Sequence, residues 1–110
     1  MSAPGEASDY AVVLTACGAA TAGKIAEALV RGGLAACVQK LPVESTYRWK
    51  GEIETAQEVL LLIKIKNADY AAVEQAIRAL HDYEIPEIIA LPVAQGFAGY
   101  LSWIDEVTRR

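Results

Sequence analysis

The sequence predicts an α+β domain, in which helices pack on an antiparallel β-sheet. Three observations predict it: short apolar runs rich in β-branched residues alternate with segments of helical spacing, a glycine-tipped hairpin joins two of the runs, and an amphipathic segment follows the last run. With 110 residues, the chain has the length of one ordinary domain. We expect residues 1–8 to be a flexible lead-in and residues 9–110 to form the single domain.

The chain begins with a strand and a helix. Residues 10–16 (YAVVLTA) are short and apolar with β-branched members, which predicts a buried central strand. Apolar residues then recur at helical spacing over residues 21–31. Gly32 and Gly33 follow, and glycine supplies the left-handed stop that helix ends favour.

The next two strands are predicted to form a long hairpin. Residues 34–41 resume an extended pattern, after which Pro42 predicts a bulge or bend because it has no N–H to donate. Residues 50–52 (KGE) are the predicted tip, with Gly51 at positive φ. Residues 53–65 then form a long returning strand.

A second helix, a short strand and a last helix complete the pattern. Asn67 is the predicted N-cap of a helix that ends at His81 and Asp82. Residues 87–93 form a strand whose proline indicates a sheet edge, and an amphipathic helix follows Gly96. The order is ferredoxin-like, a βαββαβ antiparallel sheet with a long hairpin between its second and third strands and an extra C-terminal helix.

Composition excludes several classes of function. Fourteen acidic residues stand against ten basic ones, a net charge of −4, so we expect no nucleic-acid partner. No apolar run approaches the roughly 20 residues of a membrane span, and the first residues lack a secretory signal, so we expect no membrane association and a cytoplasmic location. Catalytic triads, phosphate-binding loops and zinc-protease motifs are missing from the sequence, which predicts that the protein is not an enzyme.

High hydrophobicity for so small a domain predicts contact with another chain. Hydrophobic residues make up 54% of the sequence, and the mean hydropathy is +0.23. Tyr47 and Trp49 alternate with two cations along the predicted hairpin. Because this hairpin is expected to protrude from the body of the domain, we assign these aromatic rings to a subunit interface. A cleft is also expected, bounded by the side chains of Tyr83, Trp103, Lys64 and Glu87.

Five motifs give the sequence a family resemblance. LAACVQKLP, STYRWKGEIE, EVLLLIKIK, HDYEIPEIIALPV and YLSWI occur in this order. Their order and spacing resemble those of the divalent-cation tolerance protein CutA family. The resemblance implies a ferredoxin-like subunit in a tight homotrimer, similar to the signalling proteins called PII, and a link to copper and other divalent metal ions.

The resemblance also implies a metal site made from Cys17, His81 and Glu87. Asp82 stands where the family usually has proline, and Cys17 lies a residue or two from the family's first cysteine. Imidazole, thiolate and carboxylate suit Cu²⁺ or another divalent cation, but one chain supplies few such groups, so the site is expected between subunits of a trimer. Two alternatives stay open: His81 simply ends a helix whose dipole favours imidazolium, or the protein is a PII-like sensor or scaffold for which metal is incidental.

Overall fold

Four strands form one antiparallel sheet in which residues 37–49, 52–66, 10–17 and 89–92 lie side by side in that order, which confirms the ferredoxin-like prediction. The computed structural model describes residues 9–109, so the predicted lead-in at residues 1–8 lies outside the described residues. The elements are β1 (Tyr10–Cys17), α1 (Ala19–Arg31), β2 (Cys37–Trp49), β3 (Glu52–Lys66), a 3₁₀ turn (Asn67–Asp69), α2 (Tyr70–Leu80), β4 (Ile89–Pro92) and α3 (Ala98–Val107).

The main core lies between one face of the sheet and helices α1 and α2. Side chains alternate along a strand, so odd-numbered residues of β1 and β3 point to this face. Val13, Leu61 and Ile63 are fully buried there, against Ile25 of α1 and Ile77 of α2. Apolar residues that recur every two positions in the strands and every three or four positions in the helices therefore pack together in one cluster.

The β2–β3 hairpin has an unbroken register, so the predicted bulge or bend at Pro42 is wrong. Cys37 pairs with Lys64, and pairing continues without interruption to the tip, with Pro42 opposite Val59. The reason is that β2 is an edge strand. The backbone nitrogen of a proline there can face away from the neighbouring strand, so no hydrogen bond of the ladder is lost. Gly51 has φ +83° at the tip, as predicted.

The prediction that Asn67 caps α2 is also wrong. Asn67 begins the 3₁₀ turn, and Asp69 stands at the N-cap without a side-chain capping bond. Asp69 instead pairs through Oδ1 with Arg109 Nη2 at 3.2 Å, while the Arg109 backbone N–H donates to the Gly33 carbonyl at 2.7 Å. A long-range ion pair to the C-terminal segment thus occupies the carboxylate that a local cap would use.

Helix α3 packs on the opposite face of the sheet from α1 and α2. Its residues Leu101 and Ile104 bury Tyr10 of β1 in a second cluster. The Tyr10 hydroxyl donates to Asp105 Oδ2 at 2.6 Å. Burial, followed by this bond to Asp105, raises the pKa of Tyr10 to about 12.

Tyr10→Phe is expected to lower the free energy of unfolding by about 1.5–3 kcal/mol, the contribution of a hydrogen bond to a charged acceptor. Because the pKa of Tyr10 is higher in the folded state than its ordinary 10.0, the stabilisation is complete below pH 10 and is lost towards about pH 12. The difference between parent and variant should therefore shrink across that interval. Urea denaturation at neutral and alkaline pH measures it.

Tyr100→Phe is the control for this prediction, because the Tyr100 side chain on α3 is 40% exposed. It should change the free energy of unfolding by less than about 0.5 kcal/mol at neutral pH. A loss as large as that of Tyr10→Phe would contradict the assignment of the stabilisation to the Tyr10–Asp105 bond.

The α3 side of the sheet carries further apolar side chains, which we call the open-face patch. The pairing register places them on one face, on the even positions of β1 and β3 and on their partners in β2 and β4. Leu41, Ile89 and Leu91 are about half exposed. The patch consists of Val12, Leu14, Leu41, Leu60, Leu62, Ile89 and Leu91.

Candidate functional site

A cleft of about 880 Å³, here called the hairpin cleft, lies between the β2–β3 hairpin and the segment joining α2 to β4. One wall comes from residues 45–49 and Glu58 of the hairpin, and the other from residues 83–87. Ala16, near the end of β1, lines it between them. The lining is Ala16, Ser45, Thr46, Tyr47, Arg48, Trp49, Glu58, Tyr83, Glu84, Ile85, Pro86 and Glu87.

The hairpin wall follows the predicted alternation of aromatic and cationic side chains. Tyr47 pairs with Glu54, and Trp49 with Glu52, so both aromatic residues lie on the same face of the sheet as the open-face patch. Arg48 falls on the other face. Both aromatic residues and Arg48 are nevertheless among the residues that line the cleft.

The His81 ring is fully buried at the end of α2 and is held by two backbone groups. Its Nε2 lies 2.9 Å from the Ala16 carbonyl oxygen, and its Nδ1 lies 3.2 Å from the Tyr83 amide nitrogen. A carbonyl can only accept and an amide N–H can only donate, so these partners assign the proton to Nε2. His81 thereby fastens the α2–β4 segment to the end of β1.

Tyr83 continues this connection across the cleft. Its hydroxyl donates to Glu58 Oε2 at 2.6 Å, and its ring meets the His81 imidazole edge-on, with centroids 4.7 Å apart. The bond to Glu58, and after it burial, raises the pKa of Tyr83 well above its usual range. Glu58 is a functional candidate that the sequence analysis missed, because 25 residues separate it from Tyr83 and no spacing signals their contact.

Cys17 is completely buried at the end of β1. Burial raises the pKa of its thiol, and the carboxylates of Asp82 and Glu58 raise it further. An ion cannot reach the buried thiol in this conformation, and the ligand role of Cys17 stays a prediction. Glu87, in contrast, is exposed in the lining of the hairpin cleft.

The three predicted metal ligands do not form a site within one chain. Between residues 9 and 109, no group of three or more His, Cys, Asp or Glu side chains is arranged to hold a metal ion. Both His81 nitrogens have partners and the Cys17 thiol is buried, so the soft donors do not fit the metal that the resemblance implies. A site shared between subunits stays a prediction.

Lys64 and Trp103 were predicted to bound the cleft and do not line it. Lys64 is six residues after Glu58 along β3, about 20 Å at the usual rise of a strand. It donates to Gln39 Oε1 at 2.6 Å, while the Trp103 ring lies 5.6 Å from that of Tyr100 on α3. The length of β3 therefore separates Lys64 from the cleft, which the spacing of the motifs in the sequence did not reveal.

Comparisons with known proteins identify the family of this chain. Residues 10–107 match the model of a family described as CutA1 divalent ion tolerance protein. The chain belongs to this family. A divalent-cation tolerance protein CutA from Thermus thermophilus is 44% identical over 98 residues, covering 88% of this chain and 95% of the relative. The human protein CutA is 46% identical over 86 residues, covering 77% of this chain and 48% of the human protein.

Solved structures of CutA proteins share the fold. CutA from Xylella fastidiosa superposes with a TM-score of 0.89 at 42% identity, covering 93% of this chain and all of that one. A protein from Nostoc, described as PII-like protein CutA, gives 0.86 at 32% identity, covering 90% of this chain and 97% of that one. The CutA1 family is thus one of divalent ion tolerance with PII-like structural relatives. The prediction that this member is not an enzyme stays a prediction.

The structure and the comparisons bear on location in two ways. Among the described residues, no helix is both long enough and apolar enough to cross a bilayer. The CutA structure from Archaeoglobus fulgidus, with a TM-score of 0.87 at 33% identity, is described as a periplasmic divalent cation tolerance protein. One relative of this chain is therefore described as periplasmic, and the cytoplasmic location stays a prediction.

Proposed function

We propose that this CutA1-family protein acts in divalent-cation tolerance as a homotrimer and binds copper or another divalent cation at clefts between subunits. The observation that carries the proposal is the hairpin cleft, which is open and presents the exposed Glu87 carboxylate. The family description supplies the tolerance role. The cytoplasmic location is part of the same proposal.

The proposed trimer rests on the open-face patch and on the family resemblance. Leu41, Ile89 and Leu91 are 48–51% exposed, and such contiguous apolar surface marks an interaction site. The hairpin also lengthens the subunit, which measures 46 × 26 × 22 Å. Three copies that bury these patches together would bring each hairpin cleft beside residues of a neighbour.

The proposed ion site uses Glu87 as its ligand from this side of the cleft. The Glu87 side chain is exposed in the cleft lining, so its oxygens can turn to a neighbouring subunit. Carboxylate oxygen binds hard divalent cations and also takes part in tetragonal N,O sites of Cu²⁺. Metal affinity would then depend on assembly.

Glu87→Gln is expected to weaken binding of Cu²⁺ or Zn²⁺ at least about tenfold, equivalent to roughly 1.4 kcal/mol, because it removes the charge of a ligand while keeping its size. Equilibrium dialysis with buffered free metal measures the affinity. Glu106→Gln is the matched control, since Glu106 is an exposed residue of α3 outside the cleft lining. Equal affinities for the parent and both variants would remove Glu87 from the proposal.

A second candidate, a PII-like sensor for a small organic ligand, is favoured by the cleft's aromatic lining. Tyr47, Trp49 and Tyr83 line a volume that suits a small molecule, and amphipathic rings are common in such walls. Mass spectrometry of the denatured protein would identify a molecule that co-purifies with it. Stoichiometric recovery with the parent and loss with Trp49→Ala, beside unchanged metal uptake, would favour this candidate over the metal site.

A further inference from the structure

We infer that His81 is a positioning residue that holds one wall of the hairpin cleft, as a neutral imidazole protonated at Nε2, and that it is not a metal ligand. The inference departs from the ligand set that the resemblance implies. It concerns the state of one side chain within a single subunit, so it holds whether or not the proposed ion site exists.

Both ring nitrogens of His81 contact groups that can act only as a donor or only as an acceptor. The Ala16 carbonyl, 2.9 Å from Nε2, can only accept, so Nε2 carries a proton. The Tyr83 N–H, 3.2 Å from Nδ1, can only donate, so the lone pair of Nδ1 is used. A metal ion binds imidazole through a free lone pair, and this arrangement leaves none.

The His81 side chain is also buried. None of the His81 side chain is exposed, so an ion could reach it only after the α2–β4 segment had moved away from β1. The nearest carboxylate oxygen, Asp82 Oδ1, is 3.8 Å from Nδ1, beyond hydrogen-bond distance, and 69% of the Asp82 side chain is exposed. Asp82 therefore does not replace Tyr83 as the partner of Nδ1.

The His81 ring supports Tyr83. Tyr83 receives two contacts from His81: the bond to its amide and the edge-on packing of its ring, at an interplanar angle of 64°. Tyr83 then donates its hydroxyl to Glu58 on β3 at 2.6 Å. His81 thus links the end of β1 to a cleft wall and, through Tyr83, to the hairpin opposite.

The decisive measurement is the tautomer of His81, read from ¹⁵N chemical shifts of the labelled imidazole at neutral pH. His81 is the single histidine of the chain, so its signals need no assignment among others. We expect Nε2 to appear protonated and Nδ1 unprotonated, with both signals unmoved by Zn²⁺ added to one equivalent. An imidazolium, the opposite tautomer, or a nitrogen signal shifted by Zn²⁺ would overturn the inference.

Conservative variants separate positioning from ligation. His81→Gln keeps a side-chain N–H donor for the Ala16 carbonyl, His81→Asn keeps an acceptor for the Tyr83 amide, and His81→Ala keeps neither. The readout is hydrogen exchange of the Tyr83 backbone N–H, because this group donates to His81 Nδ1. We expect His81→Ala to speed this exchange at least about fivefold, as for the loss of one hydrogen bond, with each conservative variant giving a smaller change.

Unchanged exchange of the Tyr83 N–H in a folded His81→Ala protein would overturn the positioning role. Circular dichroism and sedimentation check that the variants fold and assemble like the parent. Failure of the proposed function would look different: the parent would take up no metal in dialysis, while the ¹⁵N shifts and the exchange of the Tyr83 N–H would still report the role of His81.

Discussion

Leu29→Ala is expected to lower the free energy of unfolding by about 2–5 kcal/mol, the range for large-to-small changes in a packed core. Leu29 lies in α1 and is 1% exposed within the main core cluster. Its carbonyl also accepts backbone bonds from Leu34 and Ala35 at 3.0 and 3.1 Å, so the surrounding chain has little freedom to collapse into the cavity. Guanidinium denaturation at one fixed chain concentration measures the loss.

Leu80→Ala is the matched control, since it makes the same chemical change in α2 at a side chain that is 40% exposed. It should cost about 1 kcal/mol or less, because much of the side chain already contacts water in the folded state. Equal losses from the two variants would contradict the division into a core beneath the sheet and a solvated outer helix surface.

The periodic elements could be predicted from sequence because burial alone fixes their pattern. Odd-numbered residues of β1 and β3 face α1 and α2, and that single requirement accounts for the alternation that the sequence displays. Two local predictions failed because distant contacts decided them. Pro42 is tolerated because β2 lies at the sheet edge, and Asp69 is drawn from a local cap to Arg109, 40 residues away.

The candidate site was harder to predict than the fold. Sequence motifs indicated His81, Glu87 and Tyr83, and the last two line one cleft. They did not indicate the Ala16 carbonyl, 65 residues from His81, because every residue has a carbonyl and its availability depends on where a strand ends. The proposed positioning role of His81 depends on that backbone group, which residue type alone could not indicate.

Leu91→Glu is expected to break up the proposed trimer. Leu91 lies on the edge strand β4, pairs with Val12 and is 49% exposed, so it is part of the open-face patch. In an isolated subunit the new carboxylate would reach water at little cost. In an assembly that covers the patch, the carboxylate would be buried without a partner, at an effective cost of several kcal/mol per copy. Each subunit of the proposed trimer would bear this cost.

Sedimentation at micromolar concentration distinguishes these states. We expect a three-chain mass for the parent and for Gln75→Glu, which adds the same charge at an exposed position of α2, and a smaller mass for Leu91→Glu. Because the two variants have equal net charge, a difference between their masses would come from burial of position 91 in the assembly and not from charge alone. A single-chain parent, or a Leu91→Glu protein that still assembles like the control, would mean that the open-face patch does not hold subunits together. The hairpin cleft would then have to bind its ligand within one chain, where the described residues offer no cluster of three metal-binding side chains.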